Sequence, residues 1–227
     1  MNGSDYWTGG AATISDPAPS SNTSHQAKQL DFGAPLDAQL GVWPSLSVPE
    51  KLKPHLFPED GRRTYAILDA GVLQGLPEML DASGLEFGCL YDGALAEELR
   101  DFAPYLVALK SDDPLTRRLL TDGTASTAWW PYDYGLFAIS HARFAETRRH
   151  FRKFTSVQSE QAGQRVYLRF WNSATMVAMA RFPQEDGLIS ALLAEHVLLF
   201  RDFSDLQGPT LFSLQGPTRS DLQGLPQ

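Results

Sequence analysis

Two aspartates stand where an open α/β sheet would place ligand-binding side chains. Asp69 ends the apolar run at residues 65–69, Asp92 follows the run at residues 87–91, and a glycine comes soon after each. Two carboxylates at the carboxyl ends of strands could hold a metal ion or act as general acid and general base. The same residue type also caps helices and forms turns without any ligand. Since no histidine, lysine or third acid accompanies them at a recognisable spacing, capping is the first interpretation, and a hydrolase built on Asp69 and Asp92 is the alternative.

The other residue types that support catalysis lack the required spacing. Cys89 is the only cysteine, which excludes an internal disulfide, and its place inside an apolar run predicts a buried, unreactive thiol. The five histidines form no metal-binding pair, and the chain contains no Walker phosphate loop, no Gly-x-Gly-x-x-Gly turn and no Gly-x-Ser-x-Gly elbow. We therefore expect neither a metal nor a cofactor.

A basic helix is the first feature that indicates a protein partner. Residues 143–169 contain seven Lys and Arg against two Glu, a net charge of +5 in a chain whose overall net charge is −8. The helix predicted there has a narrow apolar seam, and most of its arginines fall away from that seam. Arginine forms forked hydrogen bonds with carboxylates and is enriched at protein interfaces. We expect Arg148, Arg149 and Arg152 to contact a partner, with a solvated helix face as the alternative.

An aromatic loop is the second such feature. Residues 129–134 read Trp-Trp-Pro-Tyr-Asp-Tyr, with the proline in a predicted loop. Tryptophan and tyrosine are the usual anchors of protein interfaces, although they also attach loops to their own core. We expect Trp129 and Trp130 to contact the partner together with the basic helix, and attachment to the core is the alternative.

Composition limits the class of protein. A chain of 227 residues with 43% hydrophobic and 20% charged residues can form a packed core. The 27 acidic residues outnumber the 19 basic ones, which argues against nucleic-acid binding. No apolar run reaches the roughly 18 residues of a membrane span, and the first residues lack the features of a signal peptide. We expect a cytoplasmic protein that binds neither nucleic acid nor membrane.

The chain divides into three parts. Residues 1–62 are rich in Pro and Ser and predict a largely irregular N-terminal arm. Residues 63–204 alternate short apolar runs with helical periodicity, which predicts a single compact α/β domain with a mixed β-sheet and interleaved helices. Residues 205–227 repeat Leu-Gln-Gly with a period of eight. Because a Gly-Pro pair interrupts both helices and sheet ladders, this part predicts a short, poorly packed tail, with a partner-binding tail as the alternative.

Local signals mark several elements within the α/β part. Asp113 followed by Pro114 predicts the start of a helix, and Gly84 predicts the end of an earlier one. Asp92 is expected to cap the helix that follows it. The strict alternation of polar and apolar residues at 165–171 predicts a strand.

The order of these elements resembles a known family. The segments at residues 65–70, 90–93, 103–109 and 166–172, with the basic helix before the last of them, resemble the type VI secretion effector chaperones. This family of adaptors is catalogued as domain-of-unknown-function family 4123. Ala-Pro-Tyr-Leu-Val at 103–107 and Arg-Phe-Trp at 169–171 are the most specific parts, and the resemblance extends over roughly residues 64–182.

The resemblance implies a protein that is not an enzyme and uses no cofactor. Members of the family bind a secreted effector protein in the bacterial cytoplasm and help to load it onto the VgrG spike protein, in some cases with a PAAR tip protein. Here Asn172-Ser173-Ala174 stands where the family has Asp-Pro-Arg, so no role of that arginine is carried over. The resemblance therefore predicts an adaptor that acts by non-covalent protein–protein contact.

Overall fold

Seven strands form one antiparallel sheet in the computed structural model, which describes residues 26–37, 45–159, 164–181, 187–205 and 208–216. Two further strands form a separate hairpin. The strands are β1 (Gln26–Gln29), β2 (Arg63–Asp69), β3 (Phe87–Cys89), β4 (Pro104–Ala108), β5 (Gly135–Ser140), β6 (Ser156–Ser159), β7 (Gln164–Tyr167), β8 (Val197–Asp202) and β9 (Thr210–Gln215). The order across the large sheet is β1-β9-β8-β5-β2-β4-β3, and β6 pairs with β7 in the hairpin.

Short helices connect the strands. They are α1 (Lys53–Leu56), α2 (Leu76–Ser83), α3 (Ala94–Glu98), α4 (Pro114–Leu119), α5 (Phe144–Arg152), α6 (Ser173–Arg181) and α7 (Leu188–Leu193), with a 3-10 turn at Arg100–Phe102. The local signals for α2 and α4 are confirmed. Gly84 ends α2 in a left-handed conformation (φ +68°), and the Asp113 carboxylate accepts a hydrogen bond of 2.8 Å from the Leu115 amide at the start of α4.

The predicted fold class is confirmed, because helices and strands interleave in one compact domain. The mixed sheet is corrected in one respect: every pairing between the named strands of the described chain is antiparallel. A single parallel bridge joins Leu36 to Thr121 outside those strands. The reason is that β4 lies between β2 and β3, so these two strands are not neighbours in the sheet. Both β2 and β3 run antiparallel to β4 and therefore point in the same direction.

The core lies around the two central strands. Every residue of β5 is buried, as is every residue of β2 except Arg63, so the middle of the sheet is covered on both faces. Gly135 makes the pairing of these strands possible. Its φ is +132°, and a Cβ atom there would lie 1.9 Å from the Ile67 carbonyl oxygen. Only glycine fits at this position.

The terminal parts of the chain contribute more to the domain than their composition predicts. Val48, Leu52 and Leu56 in the N-terminal arm are buried in the core. The prediction of a poorly packed tail is wrong for residues 210–215. These residues form β9, which pairs with β8 and β1 and buries Leu211 and Leu214. The strand fits because it occupies the six residues between two Gly-Pro pairs.

Two further predictions concern the remaining segments. The predicted irregularity of residues 1–25 and the third repeat unit at residues 222–225 lie outside the described residues. The predicted cap at Asp92 is wrong, because Gly93 occupies the N-cap position of α3 and no side chain caps that helix. Among the described helices, none combines the length and the apolarity needed to cross a bilayer.

Candidate protein-binding groove

The basic helix α5 packs on the sheet through its apolar seam. Thr147 and Phe151 are buried, and the Phe151 ring stacks on Phe170 with a centroid distance of 5.8 Å. At the first turn, the Glu146 carboxylate accepts a 3.0 Å hydrogen bond from the Arg143 backbone amide. An acidic side chain in the first turn and basic side chains in the last turn both suit the helix dipole. The helix is therefore held in one orientation, which fixes the direction of each arginine.

Two of the three predicted contact arginines interact with the chain itself. Arg148 is half-buried, and its Nε donates a 2.9 Å hydrogen bond to the Cys89 carbonyl oxygen of β3. A Cβ atom at Gly88 would lie 2.8 Å from that Nε, so the glycine leaves room for the arginine. Arg152, one helical turn later, forms an ion pair with Asp92, and its hydrogen bond and charge lower the pKa of that carboxyl. Both side chains attach α5 to the β3 side of the sheet.

The third arginine faces solvent beside a lysine. Arg149 and Lys153 are exposed and lie one turn apart on α5 and its C-cap. No carboxylate of the described chain lies within ion-pair distance of either side chain. The expected contact of Arg149 with a partner stays a prediction, and Lys153 is a second cation that forms no ion pair within the described chain.

An open groove of about 590 Å³ runs beside these cations. One wall is the basic side of α5 and the residues after it, the second is the β6–β7 hairpin, and the third is the segment that joins β3 to α3. The lining residues include Leu90, Tyr91, Asp92, Leu95, Arg149, Arg152, Lys153, Val166 and Tyr167. The uncharged lining residues are aliphatic or aromatic, apart from Thr155 and Ser156. The groove therefore combines an apolar floor with a basic rim.

Tyr167 is the most exposed aromatic side chain in this groove. Its side chain lies on β7, 60% of the residue is exposed, and its ring centroid is 5.8 Å from that of Tyr91. Val166 beside it is 38% exposed. Sequence reasoning assigned neither residue nor Lys153 to the site. The alternation at residues 165–171 is the feature of the sequence that could have indicated Tyr167, because it places this residue on the strand face opposite to the apolar residue Val166.

Asp69 holds the segment that follows the hairpin. This carboxylate is 2% exposed and accepts hydrogen bonds from Gly71 N at 2.9 Å, from Trp171 Nε1 at 2.8 Å and from the guanidinium of Arg169. Three donors therefore compensate its burial. Arg169 and Trp171 lie a hundred residues away in the sequence, so this cluster fixes where β7 leaves the groove.

The two aspartates do not form a shared site. Asp69 is buried and bonded to Arg169, whereas the Asp92 side chain is 75% exposed and bonded to Arg152. Each carboxylate thus has its own cation. The described residues contain no group of three or more His, Cys, Asp or Glu side chains that could hold a metal ion. The Cys89 thiol is half-buried, and burial raises its pKa.

The aromatic loop lies in the core and not beside the groove. Trp129 and Trp130 are 5% and 3% exposed, and Trp129 Nε1 donates to the Ser126 carbonyl at 3.1 Å. Arg201 is buried behind the loop and donates to the carbonyl oxygens of Trp130 and Tyr132 at 2.6 and 2.8 Å. Its guanidinium carbon lies 3.8 Å from the centre of the Tyr134 ring. The two tryptophans therefore attach the loop to its own core, and in this conformation they offer no contact surface.

One family model matches the chain. The model is described as a domain of unknown function (DUF4123), and it matches residues 64–187, which is more than half of the chain. The match confirms the family part of the resemblance found in the sequence. The matched residues begin in β2 and include the whole groove. No curated protein and no solved structure matches the chain.

Proposed function

We propose that this chain, which belongs to the DUF4123 family, is a cytoplasmic adaptor that binds a type VI secretion effector and helps to load it onto the VgrG spike. The binding is non-covalent, and a PAAR tip protein is a further candidate partner. The groove beside α5 is the observation that carries the proposal. It offers an apolar surface together with two cations that form no ion pair among the described residues, in a chain whose net charge is −8.

The composition of the groove suits protein recognition. Interfaces combine an apolar centre with a polar rim, and arginine and tyrosine are among the residues that contribute most to binding. Here Tyr167 provides exposed aromatic area, and Arg149 provides a cation in the same groove. Unpaired cations at the rim also accelerate encounter with an acidic partner surface. The type VI assignment itself is supported by the family resemblance of the segments at residues 103–109 and 166–172.

A hydrolase built on Asp69 and Asp92 is the competing proposal from the sequence. No observation favours it, because the two carboxylates are bonded to different arginines. Asp92 gives the cleaner test, since its side chain is exposed and its replacement does not disturb the core. Asp92→Asn releases Arg152 from its ion pair and makes the groove more positive, so effector capture should be retained or strengthened. Loss of a measured hydrolytic turnover in that variant, with unchanged circular dichroism, would favour the enzyme.

The adaptor proposal is tested in the native bacterium. A tagged copy of the full chain is expressed from its own locus, and the proteins that co-purify with it are identified by mass spectrometry. We expect a secreted effector and a VgrG protein among them, and we expect deletion of the gene to abolish secretion of that effector. Normal secretion in the deletion strain would refute the proposal.

A further inference from the structure

We infer that the groove binds an extended acidic segment of the partner that also carries an aromatic or aliphatic side chain. This inference rests on the proposed function and adds the chemistry of the partner to it. The occupant is a short peptide segment, in which carboxylates alternate with apolar residues. Charge, shape and exposure each support this choice.

Charge complementarity selects an acidic ligand. The groove contains three cationic side chains, Arg149, Arg152 and Lys153, against the single carboxylate of Asp92. Asp92 already neutralises Arg152, which leaves Arg149 and Lys153 without a partner in the described chain. These two residues lie four positions apart on successive turns and thus face the same side. A ligand that presents two carboxylates to that side would form two ion pairs with them, one of them bidentate.

The floor of the groove selects an apolar side chain between those carboxylates. Tyr167 leaves more than half of its surface in water although its ring lies against Tyr91. The half-buried Leu95 extends this apolar area. Covering it with an aromatic or aliphatic side chain would remove apolar surface from water, which is favourable at about 25 cal/mol per Å².

The overall charge of the chain argues for a peptide and against a long polyanion. The net charge is −8, so a nucleic acid would meet repulsion wherever it extended beyond the groove. A peptide segment would interact with the basic groove alone. The open shape of the groove also admits a segment from the side, so the ligand need not be a free chain end.

The inference is tested with synthetic peptides and the purified full chain. The probe is a fluorescein-labelled decapeptide in which Asp and Glu alternate with Leu and Phe. One comparison peptide replaces every acid by its amide, and a second replaces Leu and Phe by Ser. Binding is measured by fluorescence anisotropy at low salt. We expect the first peptide to bind at least tenfold more tightly than either comparison peptide, and we expect added salt to weaken that binding.

Matched variants locate the binding site. Arg149→Glu combined with Lys153→Glu should weaken binding of the acidic peptide at least tenfold, and Tyr167→Ser should weaken it severalfold. Lys53→Glu combined with Lys110→Glu makes the same change in net charge at two exposed lysines that do not line the groove. This control should bind like the unmodified chain. Circular dichroism verifies that each variant is folded, which the exposure of the substituted residues predicts.

Three outcomes would overturn the inference, and none of them by itself refutes the adaptor proposal. Equal binding of the acidic and amide peptides would exclude charge recognition. Equal weakening by the groove variant and the control variant would exclude the groove. Unchanged effector capture by the Arg149→Glu and Lys153→Glu variant would exclude the groove as the effector site and leave the adaptor proposal intact. Conversely, peptide binding in the groove without any co-purifying effector would refute the adaptor proposal alone.

Discussion

Replacing Asp69 by Ala tests whether this buried carboxylate holds the chain segment behind the groove. The magnitude follows from the exposure of its three donors. Trp171 is 1% exposed, so its indole N–H would lose the Asp69 carboxylate as a partner without access to water, at a cost of about 1–3 kcal/mol. The Arg169 side chain is 56% exposed, so its ion pair is screened by solvent and contributes at most about 1 kcal/mol. Gly71 is exposed and its amide can bond to water instead.

The sum predicts that Asp69→Ala lowers the free energy of unfolding by about 1–4 kcal/mol. That is a large fraction of the roughly 5–15 kcal/mol that stabilises a typical domain. Urea denaturation followed by tryptophan fluorescence measures the change. Trp171→Phe removes the indole donor and leaves the carboxylate with its two other donors, so it should cost less, about 1–2 kcal/mol.

Asp101→Ala provides the matched control. The Asp101 side chain is 71% exposed, and its nearest ion-pair contact, with Arg100, measures 3.7 Å. Its replacement should change the free energy of unfolding by less than about 0.5 kcal/mol. If Asp69→Ala and Asp101→Ala had the same small effect, the anchoring role assigned to Asp69 would be refuted.

Three further substitutions test other parts of the structure. Burial and a neighbouring histidine lower the pKa of His196 from 6.5 to about 4. Between these two pH values the unfolded chain binds a proton that the folded chain does not. The free energy of unfolding should therefore fall by about 3 kcal/mol as the pH drops through this range. His196→Phe should flatten this dependence in urea denaturation at a series of pH values, and an unchanged slope would contradict the assignment. Arg201→Lys cannot bond to both loop carbonyls and also stack on the Tyr134 ring, so it should lower the free energy of unfolding by about 2 kcal/mol in the same assay. An unchanged free energy of unfolding would show that the buried guanidinium is dispensable. Gly135→Ala forces a methyl group against the Ile67 carbonyl and should cost about 3 kcal/mol or more, while Gly216→Ala, whose added Cβ meets an atom only at 3.7 Å, should stay within about 0.5 kcal/mol.

Elements that depend on neighbouring residues could be predicted from the sequence. The cap at Asp113 and the end of α2 at Gly84 each follow from the chemistry of one or two residues, and both are confirmed. The exposure of Arg149 follows from helical periodicity, because the apolar seam fixes which side of α5 faces the core. These predictions succeed because the relevant interactions lie within one or two helical turns.

Features that depend on distant residues could not be predicted in this way. The partner of Asp69 lies a hundred positions further along the chain, and no local pattern indicates that pairing. The strand order is equally non-local, which is why the antiparallel arrangement was missed. Trp129 and Trp130 stand in a loop without periodicity, so the sequence left their direction open. They turn inward because Arg201, a charged residue at the end of β8, is itself buried behind them.

The hydrogen bond from Arg148 has a consequence for self-association. β3 is the last strand of the sheet, and the Cys89 carbonyl lies on its outer side, since the inner side is bonded to β4 through the neighbouring residues. An unpaired strand edge is a template on which a second molecule can add its own strand. By covering that carbonyl, Arg148 blocks one route to aggregation. A variant that reverses the charge of both Arg148 and Arg149 would therefore lose solubility as well as partner contacts. The two effects can be measured separately only in a variant that keeps Arg148.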